Sequence, residues 1–167
     1  MVMNQTYTIR QLRKDEAHKL QKVIKPVFTQ FVAPIFSAEG IQYFLHELRP
    51  TKVQERFTRS NRVALVAETI SRAHIVGVLE IKNYAHISLF FVKSKLQGQG
   101  IGRALLQRCI ALCKRKNPQL KKITVCASPN AVEIYRKLGF SIVGKGKVQQ
   151  KQGLRFVKMK LGIVWGK

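Results

Sequence analysis

The spacing of apolar residues changes period along the chain, and each change marks a different kind of element. Residues 7–10 form a short β-prone segment. Asp15-Glu16 then opens a run with apolar residues at Ala17, Leu20, Val23 and Ile24, spaced as on one face of a helix. Pro26 is expected to end or bend that helix. Phe28, Phe31, Val32, Ile35 and Phe36 make an apolar connection around Pro34. Ser37 and Gly40 precede a second helical run at Ile41, Phe44, Leu45 and Leu48, which Pro50 stops. Residues 63–68, 75–82 and 86–92 read as strands, the last rich in Ile, Leu and Phe.

After those strands the glycine run at 98–102 feeds a helix with Ile101, Ala104, Leu105, Cys109, Leu112 and Cys113 on its inner face, closed by Asn117-Pro118. Residues 123–126 form a strand, and Ser128-Pro129 reads as an N-cap with proline at the first helical position. Residues 131–138 form a short helix ended by Gly139, and 141–143 and 154–161 finish as strands around a Lys- and Gln-rich hairpin. The order β-αα-βββ-α-β-α-ββ is that of a mixed α/β sheet.

At 167 residues with 46% hydrophobic and 23% charged positions, the chain fits one folded domain and excludes a disordered one. Its apolar runs fall far short of the ~20 residues a membrane span needs, and no apolar leader core follows Met1. A soluble cytoplasmic protein without a membrane partner is expected. Cys109, Cys113 and Cys126 show no CxxC pair or ligand-like His spacing, which excludes a disulfide framework and gives no metal site.

Charge changes the picture more. Against 31 Lys and Arg stand 8 Asp and Glu, a net charge of +23. Residues 1–83 hold 13 basic and 7 acidic residues, and residues 84–167 hold 18 and 1. A field of that size captures polyanions and repels polycations, or serves only as a solubilising surface.

A strand that ends in glycines and feeds a helix offers free backbone N–H groups at the positive end of the helix dipole, a site for phosphate. A P-loop requires Gly-Lys-Ser/Thr, but Arg103-Ala104 follow Gly102. A Rossmann turn requires an acid on the next strand, and residues 123–126 have none.

Gln97-Gly98-Gln99-Gly100-Ile101-Gly102 matches the Q/R-x-x-G-x-G/A signature of the GNAT (Gcn5-related) N-acetyltransferases. It follows a strand ending Leu89-Phe90-Phe91-Val92. Residues 130–140, Asn-Ala-Val-Glu-Ile-Tyr-Arg-Lys-Leu-Gly-Phe, are similar to that family's NAxxxYxxxGF-like helix. The resemblance runs from residue 63 to 161, while residues 8–50 agree only in being two helices after a strand. It implies an α/β (α+β) fold: a central mixed, largely antiparallel, twisted sheet of about six or seven strands, splayed at the cofactor site and flanked by about four helices. Residues 1–167 would form that single domain.

The same resemblance implies acetyl-CoA as co-substrate and no metal. The backbone N–H groups of Gly98, Gln99, Gly100, Ile101, Gly102 and Arg103 would hold its pyrophosphate, with Gln97 in the same signature. Pantetheine would pair with exposed backbone at Phe90, Phe91 and Val92, where an amide also stabilises an oxyanion. Tyr135 would protonate the departing thiolate. Ser128 falls in the slot of the pantetheine-binding asparagine, either bonding the cofactor or merely capping the helix, and Asn130 stands beside it in the cofactor-binding set. Counting back from Gln97 puts His86 in the place of the glutamate base of the histone-modifying branch. Glu80 and solvent are the alternatives, because the family's other base position falls at Ile123, which takes no proton. Cys126 reads as packing rather than nucleophile.

The expectation is therefore transfer of an acetyl group to a primary amine of a small molecule or peptide by direct attack. The positive charge ranks polyamines, aminoglycosides and histone tails below a neutral or acidic small molecule or peptide N-terminus. The alternative is a non-catalytic basic module on the same fold that binds CoA or RNA and the ribosome, motivated by the lysine-rich tail and residues 145–160. Those segments lack interleaved aromatics for base stacking, so nucleic acid is the less favoured partner. A homodimer is left open.

Overall fold

The computed structural model describes residues 6–165, so the terminal Lys167 of the basic tail lies outside it. Eight strands and five α-helices are found among these residues. The strands are β1 (Tyr7–Gln11), β2 (Arg62–Thr69), β3 (Ile75–Lys82), β4 (His86–Val92), β5 (Lys122–Ala127), β6 (Ser141–Ile142), β7 (Gln149–Lys151) and β8 (Leu154–Gly162). They pair in the order β1-β2-β3-β4-β5-β8-β6, with β7 added to β8. Every pairing is antiparallel except β4 with β5. The mixed, largely antiparallel sheet expected from the resemblance is thus present, with one more strand and one more helix than foreseen. No helix among the described residues is long and apolar enough to cross a membrane.

Helix α1 (Ala17–Phe31) runs through Pro26 instead of stopping there. Its buried stripe, Leu20, Val23, Ile24, Val27 and Phe28, extends past the proline on both sides. Burying each such side chain contributes roughly 1.5–3 kcal/mol, which together outweighs the ~3 kcal/mol of an interior proline. Helix α2 (Ala38–Glu47) ends before Pro50, but that proline opens a further helix, α3 (Pro50–Phe57), at its first position. Proline suits that position because the missing N–H would have no partner there. The polar hairpin lies between β7 and β8, where Gln152 (φ 51°) and Gly153 (φ 74°) make a turn with both central residues left-handed.

Two cores sandwich the sheet. Leu20, Ile24, Phe28, Leu48 and Val53 of the α1–α3 segment cover Val66 and Val78 on one face. On the other, helix α4 (Ile101–Lys116) packs Leu105, Leu106, Cys109 and Cys113 against Leu79, Ile81, Ile87, Ile123 and Val125. Cys109 and Cys113 lie 3.9 Å apart as buried thiols within this core. Ile123 is wholly buried there.

Candidate active site

The parallel pairing of β4 with β5 is short: His86 opposes Thr124 and Ile87 opposes Val125, and no β4–β5 pair follows. Strand β4 meanwhile stays paired with β3 as far as Val92 opposite Gly77. The two central strands therefore part company at Ser88, and a groove of about 1040 Å³ opens between them. That is the upper end of the ~300–1,000 Å³ usual for small-ligand sites. Its walls bring together His86, Phe90, Phe91, Val92, Gly98, Gly100, Arg103, Ser128, Asn130 and Tyr135, as well as Glu80. The sequence-expected residues, scattered over 56 positions from Glu80 to Tyr135, thus line one cavity with two exceptions: Gln99 is not in its wall, and the Ile101 side chain is buried in the core beneath α4.

At one mouth of the groove Gly98 (φ 76°) and Gly100 (φ 85°) hold left-handed backbone, and a Cβ at either would meet open space. Their glycine character serves backbone conformation rather than crowding. Gly100 is the N-cap residue of α4. Among the described residues no acceptor pairs with the N–H groups of residues 98–103, so six consecutive donors meet the helix N-terminus unsatisfied. The side chains beside them are committed elsewhere. Gln97 Nε2 donates to the Val92 carbonyl at 2.9 Å, and Arg103 Nη2 to the Lys137 carbonyl at 3.1 Å. What Gln97 and Arg103 offer the groove is therefore main chain, and the Val92 carbonyl is already occupied.

Tyr135 sits in α5 (Val132–Lys137), a helix too short to hold itself by propensity. Its end explains the YxxxGF spacing. Gly139 (φ 96°) turns left-handed, its N–H donates to the Arg136 carbonyl at 2.9 Å, and the Phe140 N–H donates to the Tyr135 carbonyl at 3.0 Å. This is the Schellman arrangement, completed by the edge-on packing of Phe140 on the Tyr135 ring at 5.3 Å. Phe90 of β4 meets the opposite side of Tyr135 at 6.1 Å. The hydroxyl has no hydrogen-bond partner among the described residues, and burial raises its pKa above the ordinary phenol value, with Cys126 adding to it.

The His86 Nδ1 lies 2.8 Å from the Thr124 hydroxyl, which is itself 3.4 Å from the Ala85 carbonyl. Burial, with Lys82 and Arg62 nearby, lowers the His86 pKa. Glu80 is completely buried. Its Oε2 accepts from Arg56 Nη2 at 3.1 Å, and its Oε1 from Arg62 Nη1 at 2.7 Å and Arg56 Nε at 3.3 Å. A carboxylate held by three charge-assisted donors is badly placed to take a substrate proton. Arg62 Nε in turn has no partner among the described residues.

Ser128 stands at the N-cap position of the short turn Pro129–Ala131 with proline after it, as expected, but its hydroxyl makes no cap bond. The Asn130 amide donates to the Phe31 carbonyl, tying this turn to the end of α1 across the groove. Cys126 is exposed rather than packed, on the sheet face away from α4, because it alternates with the buried Val125 and Ala127. The far end of the groove was not foreseen in detail. Phe28 stacks on Phe44 at 3.9 Å, and Phe44 tilts against Phe91 at 6.0 Å, while Phe36, Tyr43, Glu47, Arg155 and Phe156 line the opening. No cluster of His, Cys, Asp and Glu placed to hold a metal occurs among the described residues.

Solved structures share this architecture. The PaiA N-acetyltransferase of Thermoplasma acidophilum, in complex with coenzyme A, is 22% identical with a TM-score of 0.73, over 94% of this chain and 99% of its own. A GCN5-related N-acetyltransferase from Rhodopseudomonas palustris is 21% identical with a TM-score of 0.78, over 98% of this chain and 99% of its own. A spermidine N-acetyltransferase chimera from Vibrio cholerae is 17% identical with a TM-score of 0.63, over 94% of this chain and 95% of its own. No curated protein matches the sequence. The family model for the acetyltransferase (GNAT) domain matches residues 32–163, most of the chain and all of the groove's central elements, so this protein belongs to the GNAT acetyltransferase family.

Proposed function

We propose that this protein transfers the acetyl group of acetyl-CoA to a primary amine, by direct attack of the amine on the thioester and without a covalent enzyme intermediate. The observation that carries the reading is the run of six unpaired N–H groups at residues 98–103, set where β4 and β5 diverge and in the same groove as Tyr135. Such a run, at a helix N-terminus, suits a diphosphate. The free edge of β4 beyond Ile87 suits the amide-bearing pantetheine arm, and Ser128, its hydroxyl uncommitted to a cap, can bond it.

Acetyl-CoA supplies the activated acyl group. His86 accepts the amine proton, directly or through water. The Thr124 hydroxyl donates to the Ala85 carbonyl and accepts from His86 Nδ1–H, which leaves the Nε2 lone pair for that proton. As the amine nitrogen bonds to the acyl carbon, a β4 main-chain N–H stabilises the oxyanion. Tyr135 holds its proton at neutral pH and gives it to the departing sulfur. Glu80 serves to fix Arg56 and Arg62 rather than to take protons.

The test is thiol release from acetyl-CoA in the presence of a panel of amines, with mass analysis of the acceptor. Acetylated amine in step with free thiol is expected. Tight acetyl-CoA binding with no acetylation of any amine would contradict the reading and leave a cofactor-binding module.

A further inference from the structure

The sheet register assembles one face that the helices leave open. Arg62 opposes Lys82, Lys82 opposes His86, His86 opposes Thr124, and Thr124 opposes Lys160, and residues directly opposite share a face. Cys126 opposes Lys158, and Lys122 lies two positions before Thr124 on the same strand. The alternating residues Ile81, Ile87, Ile123, Val125 and Met159 are buried against α4 and α5 on the other side. Helices α1 to α3 cover β2 and β3 except at their Arg62 and Lys82 ends, and the distal half of β4, so the near half is bare: Ser88, Lys122, Cys126, Lys158 and Lys160 are exposed and Lys82, His86 and Thr124 half-buried.

This bare face carries Lys82, Lys122, Lys158 and Lys160 beside Arg62, and none of the four lysines has an ion-pair partner among the described residues. The single carboxylate on it, Glu80, is buried under Arg56 and Arg62. With strands about 4.8 Å apart and same-face residues about 6.8 Å apart along a strand, the lysines form a flat grid that runs into the groove at His86.

We propose that this face docks an acidic acceptor polypeptide, its carboxylates on Lys158, Lys160 and Lys122 and its amine delivered to His86. The proposal rests on the acetyl-transfer reading for the amine's fate, but the docking itself does not. A polypeptide fits better than RNA because Phe156, half-buried at the groove, is the one aromatic side chain the bare face offers among the described residues, leaving no platform for stacked bases. An extended acidic chain, with alternate side chains about 6.8 Å apart, matches the spacing of Lys158 and Lys160 along β8.

The test compares three peptides with one free amine each, flanked by Asp and Glu, by neutral residues or by Lys, on the wild-type protein and the Lys158→Glu/Lys160→Glu double variant. Binding is read by fluorescence anisotropy and turnover by thiol release. The acidic peptide is expected to bind at least about tenfold tighter than the neutral one, to lose that margin in the double variant, and to lose most of it between about 50 and 500 mM salt. Acetyl-CoA affinity and neutral-peptide turnover are expected to be unchanged in the variant. Charge-dependent binding of the acidic peptide without turnover, together with no acetylation of any amine in the panel, would sustain the docking face while overturning acetyl transfer. Equal binding of the acidic and neutral peptides, an undiminished margin in the double variant, or tight binding of a short single-stranded RNA in preference to the acidic peptide would overturn the docking face.

Discussion

Gly40 in the first turn of α2 and Gly153 in the β7–β8 turn touch backbone to backbone. A Cβ on Gly40 would lie 2.3 Å from the Gly153 carbonyl oxygen, and one on Gly153 would lie 2.3 Å from the Ser37 Oγ. The Ser37 hydroxyl caps α2 by accepting from the Gly40 N–H at 3.1 Å and donates to the Gly153 carbonyl at 3.4 Å. Two segments far apart in sequence are thus clasped beside the aromatic end of the groove, where Phe36, Tyr43 and Phe156 lie.

Gly40→Ala must push the two turns apart. A loss of about 1–3 kcal/mol in stability is expected, of the size usual for overpacking. The Michaelis constant for the acceptor is expected to rise several-fold while acetyl-CoA affinity holds, because the glycine loop lies at the other end. Denaturant melts and calorimetry with acetyl-CoA check both.

Tyr135→Phe keeps the ring between Phe90 and Phe140 and removes only the hydroxyl. Turnover is expected to fall by roughly 100- to 1,000-fold, the lower part of the range for a general acid, with acetyl-CoA affinity unchanged within about twofold. Steady-state rates beside direct binding measurements decide it; unaltered turnover removes Tyr135 from the chemistry.

For His86 the active form is the neutral ring, and burial with Lys82 and Arg62 holds its pKa below the ordinary value. Activity is therefore expected to fall only on the acid side, through a midpoint below about 6.5, and to be level through neutrality. His86→Gln should abolish that acid limb along with most of the rate. Thr124→Val should lower turnover less, and Thr124→Ser should restore it. A pH profile unchanged by His86→Gln would assign proton acceptance to solvent.

The Arg10–Glu16–Glu68 cluster ties β1, β2 and the start of α1. Glu16 is buried, and the hydrogen-bonded Arg10 guanidinium lowers its pKa to about 2 from the ordinary glutamate value of about 4.5. A depressed carboxylate pKa stabilises the fold above the unfolded value and loses that contribution as pH falls toward the folded one. Stability is expected to drop by on the order of 3 kcal/mol between about pH 5 and 2, and Glu16→Gln should be less stable at neutral pH with a flatter acid limb. Urea melts across that range test the slope.

How much of this was legible in the chain follows from where the determinants lie. The glycine loop and the Tyr135–Phe140 segment are each set by local backbone chemistry, left-handed turns at Gly98, Gly100 and Gly139, so the motifs announce them. Pro50 marks the stop of α2 correctly, but the start of α3 was not legible, because proline both ends one helix and starts another and nothing between Leu48 and Val53 separates the two readings in sequence. Pro26 misled because tertiary burial on both sides overrides a local penalty. The Arg56–Glu80–Arg62 cluster joins α3, β3 and β2, and the committed side chains of Gln97 and Asn130 reach carbonyls on other elements. Such partners are fixed by topology and carry no spacing of their own.

The most direct measurement is a crystal structure of the protein soaked with acetyl-CoA. The diphosphate should lie within hydrogen-bond distance of the main-chain N–H groups of residues 98–103, with the thioester sulfur in reach of the Tyr135 hydroxyl. Density for the ligand at another surface, or a diphosphate bound by lysine side chains away from the glycine loop, would contradict the account.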